Sequence, residues 1–405
     1  MDKPDITLVF PSSPFLIDPK VFPSLGILYL AGYLKDHGLQ AQCLDMAMHA
    51  PDMAKADIVG ISITTPQRME AYKLAEYYKK KGKTVIAGGP HATHMPGECK
   101  EHGFDYVLGN EAERSLYHFL KTDERLRPVS EFNASLLPAD AIPFPDRDAL
   151  PIHDYKYELN EKPATVMMTS RSCPYNCSFC AKMNNNFRMQ SAQRTVDEIL
   201  HINKKYGFEA FMIFDDVFII NKKRLAAIAD GVKGRGFVFR CFGRTNLINE
   251  DTCRLIKKLG VVEVGLGVES GADKILDKNI KKTSRKMNTQ AVKLLHKHGI
   301  RAKAFLIVGL PGETPETIEK TSSWIQEAKP DDVDISIFQP LPGSVIFNDP
   351  ESWGIKFKYD GKPQWYKGQP GKYDSTVNTG RLSAQRIIAY RALLEATYKD
   401  QSLLR

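Results

Sequence analysis

The stretch Cys173-Pro174-Tyr175-Asn176-Cys177-Ser178-Phe179-Cys180 constrains this chain more than any other. Its three thiols are separated by three and then two residues. Three residues make about one helical turn, so a tight loop can turn all three sulfurs toward one point. Zinc sites usually take four ligands in two closely spaced pairs, whereas this loop carries three thiols and no evident fourth. A [4Fe–4S] cluster held by three cysteines leaves one iron free for another ligand. A strand-like run, Ala164 to Thr169, leads straight into the loop. That places the loop at the C-terminal end of a strand, where barrel enzymes carry their sites. The competing reading is a set of structural thiols or a zinc loop.

A chain of 405 residues suggests one large domain or two to three smaller ones. A hydrophobic fraction of 42% is ample for a core. No apolar run approaches the roughly 18 residues needed to span a bilayer. Met1-Asp2-Lys3-Pro4-Asp5 leads directly into a strand and does not resemble a signal peptide, so the chain reads as cytoplasmic. Of seven cysteines, three are bunched, which argues against a disulfide framework, and a reducing compartment suits a cluster. Cys43, Cys99, Cys241 and Cys253 stand apart and read as small buried hydrophobes. The net charge of +8 is mild. Lys79-Lys80-Lys81, Lys281-Lys282 and Arg285-Lys286 read as solvated faces, and no nucleic-acid partner is expected.

The first third alternates strands (6–11, 40–45, 56–62, 84–87, 105–108) with helices (23–37, 70–81, 96–102, 111–120). This spacing implies an open parallel sheet with helices on both faces. Ligands of such sheets bind at the C-terminal strand ends, here Pro11-Ser12-Ser13, Ser62 to Thr65, Gly88-Gly89 and Gly109-Asn110. The glycine pair permits close backbone approach to something large, or makes an ordinary turn. A proline-rich stretch follows, with Leu137-Pro138, Ile142-Pro143-Phe144-Pro145 and Leu150-Pro151. Prolines extend the residues before them, so this stretch should drape over a surface or pack between domains. Tyr155 and Tyr157 in it are candidates for a substrate-side role. From 164 the alternation restarts, with six strands (164–169, 210–214, 238–243, 262–268, 302–308, 333–338) and five helices between them. The segment 352–380 carries Trp353, Tyr359, Trp365, Tyr366 and Tyr373, read as a lid or a packed terminal subdomain, and 383–398 reads as an amphipathic helix.

The cysteine spacing, with an aromatic residue before the last thiol, resembles the radical SAM superfamily. Pro23 to Gly38, then Gly-Gly-Pro-His-Ala-Thr from Gly88, then Gly-Asn-Glu-Ala-Glu from Gly109, resemble the cobalamin-binding domain fused to many of its members. The resemblance implies an α/β architecture. A doubly wound, Rossmann-like cobalamin-binding domain would span 1–125, a linker 126–163, a partial (β/α)6 barrel 164–345, and a C-terminal lid or helical subdomain 346–405. It implies that Cys173, Cys177 and Cys180 ligate the cluster, whose free iron chelates S-adenosylmethionine (SAM). The implied SAM contacts are Phe179, Arg188, Asp215, Asp216, Arg244, Glu269, Ser270, Val308 and Gly309. Asp215-Asp216 stand where the family usually has Gly-Gly-Glu, and an arginine at Arg188, Arg240 or Arg244 could bind the methionine carboxylate bidentately. The implied cobalamin contacts are Ser12, Ser62, Thr64, Thr65, Gln67, Arg68, Gly88, Gly89, Pro90, His91, Gly109 and Glu111.

Where that domain usually has Asp-x-His-x-x-Gly, this chain reads Asp45-Met46-Ala47-Met48-His49-Ala50. Cobalamin without a lower histidine ligand is expected, with Arg68 facing the cobalt or simply exposed. The implied activity is reductive cleavage of SAM to a 5′-deoxyadenosyl radical, with methylation of an unactivated carbon of a small molecule or peptide. An external donor of flavodoxin or ferredoxin type would feed the cluster. Ring formation or skeletal rearrangement on the same cofactors, and a non-catalytic sensor, are the alternatives. RNA methylthiolation is disfavoured, because extra first-domain cluster cysteines and a strand-rich terminal domain are missing.

Overall fold

Apolar residues in the first third are spaced so that every strand is buried on both faces. The computed structural model, which describes residues 3–14, 16, 18–121, 135–358, 368–369 and 372–398, folds them accordingly. The chain forms two compact units, one of residues 1–157 with 182–188, the other of 158–181 with 189–405.

In the first unit, β1 (Ile6–Phe10), β2 (Ala41–Asp45), β3 (Ile58–Ser62), β4 (Thr84–Gly88) and β5 (Tyr106–Val107) form one parallel sheet. The strand order is β2-β1-β3-β4-β5. The order reverses between β1 and β3, the place where such sheets open a crevice beyond their carboxyl ends. Ile6, Leu8 and Ile86 face one apolar layer with α1 (Leu25–Asp36) and α5 (Glu113–Lys121). Val9, Val59, Ile61 and Val85 face the other, with α2 (Arg68–Lys80). After β4 the chain turns at Gly88–Gly89 directly into α3 (Gly89–His94) and then α4 (Pro96–Glu101).

The described part of the proline-rich stretch belongs to this unit and is not a separate linker. Asp146 N–H donates to Leu28 O at 2.9 Å, and Leu150 and Tyr155 join the α1 layer. Gly32 of α1 lies so close to Phe144 O that a Cβ would collide with it. Tyr155 is buried, and its hydroxyl donates to Asp45 Oδ2 at 2.7 Å. Its expected substrate-side role is therefore replaced by a bolt between this stretch and the end of β2.

The second unit opens with a short antiparallel edge, β6 (Glu158–Leu159), against β7 (Lys162–Met167). Then come α6 (Ala192–Tyr206), β8 (Ala210–Ile213), α7 (Lys222–Gly231), β9 (Val238–Gly243), α8 (Glu250–Leu259) and β10 (Val261–Glu269). They continue into α9 (Asp273–Lys278), α10 (Arg285–Lys297), β11 (Arg301–Val308), α11 (Pro315–Ala328) and β12 (Asp332–Ile337). β7 to β12 are parallel and sequential, and β12 does not pair with β6, so the six-stranded barrel stays open. Ser191, Asn249, Ser284 and Thr314 each cap a helix through a side-chain oxygen, as their positions before apolar periodic segments require.

Along β9 and β11, buried residues toward the helices alternate with half-buried ones toward the lumen. The lumen side carries charge. Arg240 pairs with Glu263 at 2.7 Å, and Lys303 with Asp332 at 2.7 Å. Arg240 therefore sits mid-strand rather than at the strand end.

The last residues complete this unit and do not form a domain of their own. α12 (Val345–Asn348), β13 (Ile355–Phe357) and β14 (Val377–Thr379) precede α13 (Ala384–Tyr398). α13 lays Ile387 on Gly309 and donates from Arg391 Nε to Ile335 O of β12 at 3.1 Å. Trp353 packs on an apolar cluster, and Tyr373 stacks on the Arg391 guanidinium at 3.3 Å. Tyr359, Trp365 and Tyr366 lie outside the described residues.

Candidate functional site

The cysteine loop leaves the end of β7 through a braced root. Asp215, just beyond β8, is buried, and its Oδ1 accepts the N–H groups of Thr169 (2.5 Å) and Ser170 (3.0 Å). Its Oδ2 accepts the Thr169 hydroxyl at 2.6 Å. Burial raises its carboxyl, and Arg224 opposes the rise. Arg224 in turn donates to Gln190 O, Thr169 O and Thr195 Oγ1. Asp215 is thus committed to the loop root and does not face a cofactor. Asp216 beside it is exposed.

In the loop, Cys173 is half-buried, Cys177 buried and Cys180 exposed. Arg244, buried just past β9, donates from Nη1 to Cys177 Sγ at 3.3 Å and from Nη2 to Lys281 O. Its guanidinium lies 3.8 Å over the Tyr175 ring. A hydrogen bond from Cys180 holds the Cys177 thiol below its usual range against its burial, with Lys281 and Arg244 adding to the effect. The same bond pushes Cys180 up, as burial does for Cys173. Among the described residues no group of three Cys, His, Asp or Glu side chains gathers around one ion-sized point. A cluster binds each thiolate at its own iron, and three cysteines of one loop beside the Arg244 and Lys281 cations fit its negative charge.

Lys281 is the main residue missed in the sequence. Within a run read as a solvated face it is only 4% exposed, and its Nζ meets Glu269 Oε1 at 2.6 Å. Left-handed backbone at Ile280 and Lys282 folds it inward. Glu269 is itself left-handed (φ 64°), which aims its carboxylate at Lys281. Ser270, an expected SAM contact, is fully buried with Oγ 3.3 Å from Thr321 Oγ1, so it braces α11 instead. Phe179 is half-buried against the apolar cluster of Leu310 and Phe338. Val308 is buried, and Gly309 N–H donates to Glu313 Oε2 at 2.5 Å. Burial raises Glu313 to about 8.

Arg188 belongs to the first unit. Its Nη2 pairs with Glu111 Oε2 at 2.5 Å, and Asn184 Nδ2 donates to Glu111 Oε1 at 3.2 Å. Two residues expected at different cofactors thus hold each other.

At the strand ends of the first unit, the charged candidates turn inward. Arg68 is 2% exposed and pairs with buried Glu98 at 3.3 Å, and Arg68 Nη1 donates to Thr65 O. It is therefore neither exposed nor aimed at a ligand. His91 is fully buried between Tyr72 OH (2.9 Å) and Thr65 Oγ1 (3.2 Å), and burial lowers it to about 3, so it is neutral. Gln67 is buried, donating to Pro11 O at 2.6 Å and accepting from the Thr64 hydroxyl at 2.6 Å. His49 Nδ1 folds back on the backbone of Asp45.

What remains half-exposed is a rim of small groups: Ser12, Ser62, Thr64, Gly88, Gly89 and Gly109, with Pro90 exposed. Gly89 has φ 90°, and a Cβ there would lie 2.9 Å from Ile63 O, so the crossing of the two loops requires glycine. A cavity of about 150 Å³ adjoins the rim, lined by Ser12, Ser13, Phe22 and Asp45 among others. Small hydroxyls and bare backbone at a switch point fit a large cofactor held by its periphery.

Residues 167–325 match the radical SAM superfamily model and 19–120 the B12-binding domain model. An uncharacterized methyltransferase of Pyrococcus horikoshii is 30% identical over 80% of this chain and 78% of its own length. The anaerobic magnesium-protoporphyrin IX monomethyl ester cyclase of Rubrivivax gelatinosus is 27% identical over 81% and 66%. The radical SAM methyltransferase TsrM of Kitasatospora setae, solved with cobalamin and a [4Fe–4S] cluster, shares the fold with a TM-score of 0.72 at 16% identity, covering 98% of this chain and 91% of that one.

Proposed function

This chain belongs to the cobalamin-dependent radical SAM methyltransferase family, and from that premise we propose that it methylates an unactivated carbon of a small molecule or peptide. The observation that carries the reading is the seating of the Cys177 thiol, 3.3 Å from Arg244 beside buried Lys281, at the mouth of an open parallel barrel. When bound, the [4Fe–4S] cluster supplies the electron that cleaves SAM, and cobalamin supplies the methyl group. Cys173, Cys177 and Cys180 would hold the cluster. Arg244 and Lys281 would offset its thiolate charge. Phe179, Asp216, Glu269 and Gly309 would line the SAM site, while Val308, expected there too, is buried on the helix side of its strand. Ser12, Ser62, Thr64, Gly88, Gly89 and Gly109 would hold the cobalamin periphery. The half-buried lumen side chains would orient the substrate and exclude water. A low-potential donor of flavodoxin or ferredoxin type would deliver electrons.

The likeness to the Rubrivivax cyclase favours a second reading, oxidative ring formation on the same cofactors. One experiment separates the two. The anaerobically reconstituted chain is incubated with cobalamin, methyl-deuterated SAM and candidate substrates, and the products are read by mass spectrometry. A labelled methyl group in the product supports methylation. Loss of hydrogen with no label supports cyclisation. 5′-Deoxyadenosine that never forms under strong reductant contradicts both and favours a sensor.

A further inference from the structure

The turn joining α9 to α10 has a backbone its sequence does not favour. Ile280 has φ 55° and Lys282 φ 52°. A β-branched residue in that region is an outlier, and such conformations persist only where the surroundings over-determine them. Apolar burial does not explain it, since Ile280 is 40% exposed.

The contacts of this turn run to the cysteine loop and its neighbours. Asn279 O accepts both the N–H and the hydroxyl of Ser178, each at 3.2 Å. Asn279 Nδ2 donates to Pro311 O at 3.1 Å. Lys281 O accepts from Arg244 Nη2, whose Nη1 reaches Cys177 Sγ. Lys281 Nζ pairs with Glu269 and lies 5.9 Å from the Phe179 ring. One short turn thus fixes the loop between two thiols, places one cation against Cys177 and buries a second behind Phe179.

We infer that the 279–282 turn is an electrostatic seat for the cysteine loop, in which Lys281 is a positioning cation that raises the electron affinity of a cluster held there and Glu269 moderates it. The inference rests on the cluster reading above. Reduction adds one negative charge to the cluster, and a nearby buried cation stabilises the reduced form. Water and salt screen a residue this buried poorly. The neutralising carboxylate gives the two partners opposite influence.

The test is an anaerobic redox titration of the reconstituted full-length chain without SAM, followed by the reduced-cluster paramagnetic resonance signal, with iron content measured alongside. Lys281→Met should lower the reduced-to-oxidised ratio roughly tenfold at a fixed potential, a midpoint more negative by about 59 mV for one electron. Glu269→Gln should move the midpoint the other way, the double variant should return toward wild type, and Lys281→Arg should retain it. Shifts of the same sign in both single variants, or none in variants that keep their iron, would overturn the role. If Lys281→Met takes up no iron, the sign of the Glu269→Gln shift decides, a positive shift supporting the role and any other overturning it. Wild-type chain that takes up no iron would instead overturn the cluster reading.

Discussion

Both units place polar residues at the C-terminal ends of parallel strands, yet they use charge in opposite ways. In the first, Arg68, Glu98 and His91 close on one another inside the fold, and the rim is left to serines, threonines and glycines. In the second, Arg244 and Lys281 are buried but lie against the cysteine loop. A large neutral-edged cofactor can be held by shape and many weak contacts. A cluster that must accept an electron needs few ligands and a fixed field. Substitutions in the second unit should therefore act on the cofactor, whereas those in the first should act on the fold or change binding only by degrees.

The largest effect should come from Asp215→Ala, which leaves the buried Thr169 N–H, Ser170 N–H and Thr169 hydroxyl without their acceptor and frees the loop root. Each buried donor left unpaired costs about 1–3 kcal/mol. Denaturant unfolding of the second unit should show that loss, and iron retention after reconstitution should fall with it. Full iron retention would detach the loop root from the cluster. Arg68→Met is the counterpart in the first unit. It should cost about 3 kcal/mol by stranding Glu98, while the spectrum of bound cobalamin in the folded fraction stays unchanged. A changed Co(II) spectrum without a stability loss would place Arg68 at the cobalt after all.

The strands, most helices and the position of the cysteine loop were legible because each rests on local periodicity and turn chemistry. Lys281 was not, because its burial depends on left-handed backbone at Ile280 and Lys282, which nothing in Lys-Lys announces. Arg68 and Arg188 were misplaced for a related reason: an arginine near a strand end looks the same whether its partner is a ligand or a glutamate far along the chain. The proline-rich stretch reads as a linker from composition, and only the packing of Phe144 on Gly32 and of Tyr155 on Asp45 makes it part of a domain. The inward turn of Ser270 depends on Thr321, 51 residues away, a contact with no local signal.

Acid and alkali should also separate the units. His91 is held near 3 by burial, against an ordinary 6.5. Below 6.5 the unfolded chain takes a proton that the folded one refuses, so the first unit loses stability as pH falls toward 3. Glu313 is raised from 4.5 to about 8. Above 4.5 the unfolded chain releases a proton that the folded one keeps, so the second unit loses stability as pH rises toward 8. Each slope is at most about 1.4 kcal/mol per pH unit. Thermal unfolding across pH should show His91→Gln flattening the acid limb and Glu313→Gln the alkaline limb. Identical profiles in wild type and variants would remove both groups from the account. The smallest effect is expected from Ser62→Ala on the rim, a loss of about 1 kcal/mol or less in cobalamin affinity. Abolished binding would mean that the first unit also depends on single ligands.

The central claim is that three thiols of one loop hold an iron–sulfur cluster, and iron analysis of the anaerobically reconstituted chain tests it most directly. The account predicts about four irons per wild-type chain, with visible absorption and SAM cleavage, and loss of all three in Cys177→Ala. A colourless, zinc-loaded chain that still cleaves SAM, or a Cys177→Ala variant that keeps its iron, would contradict it.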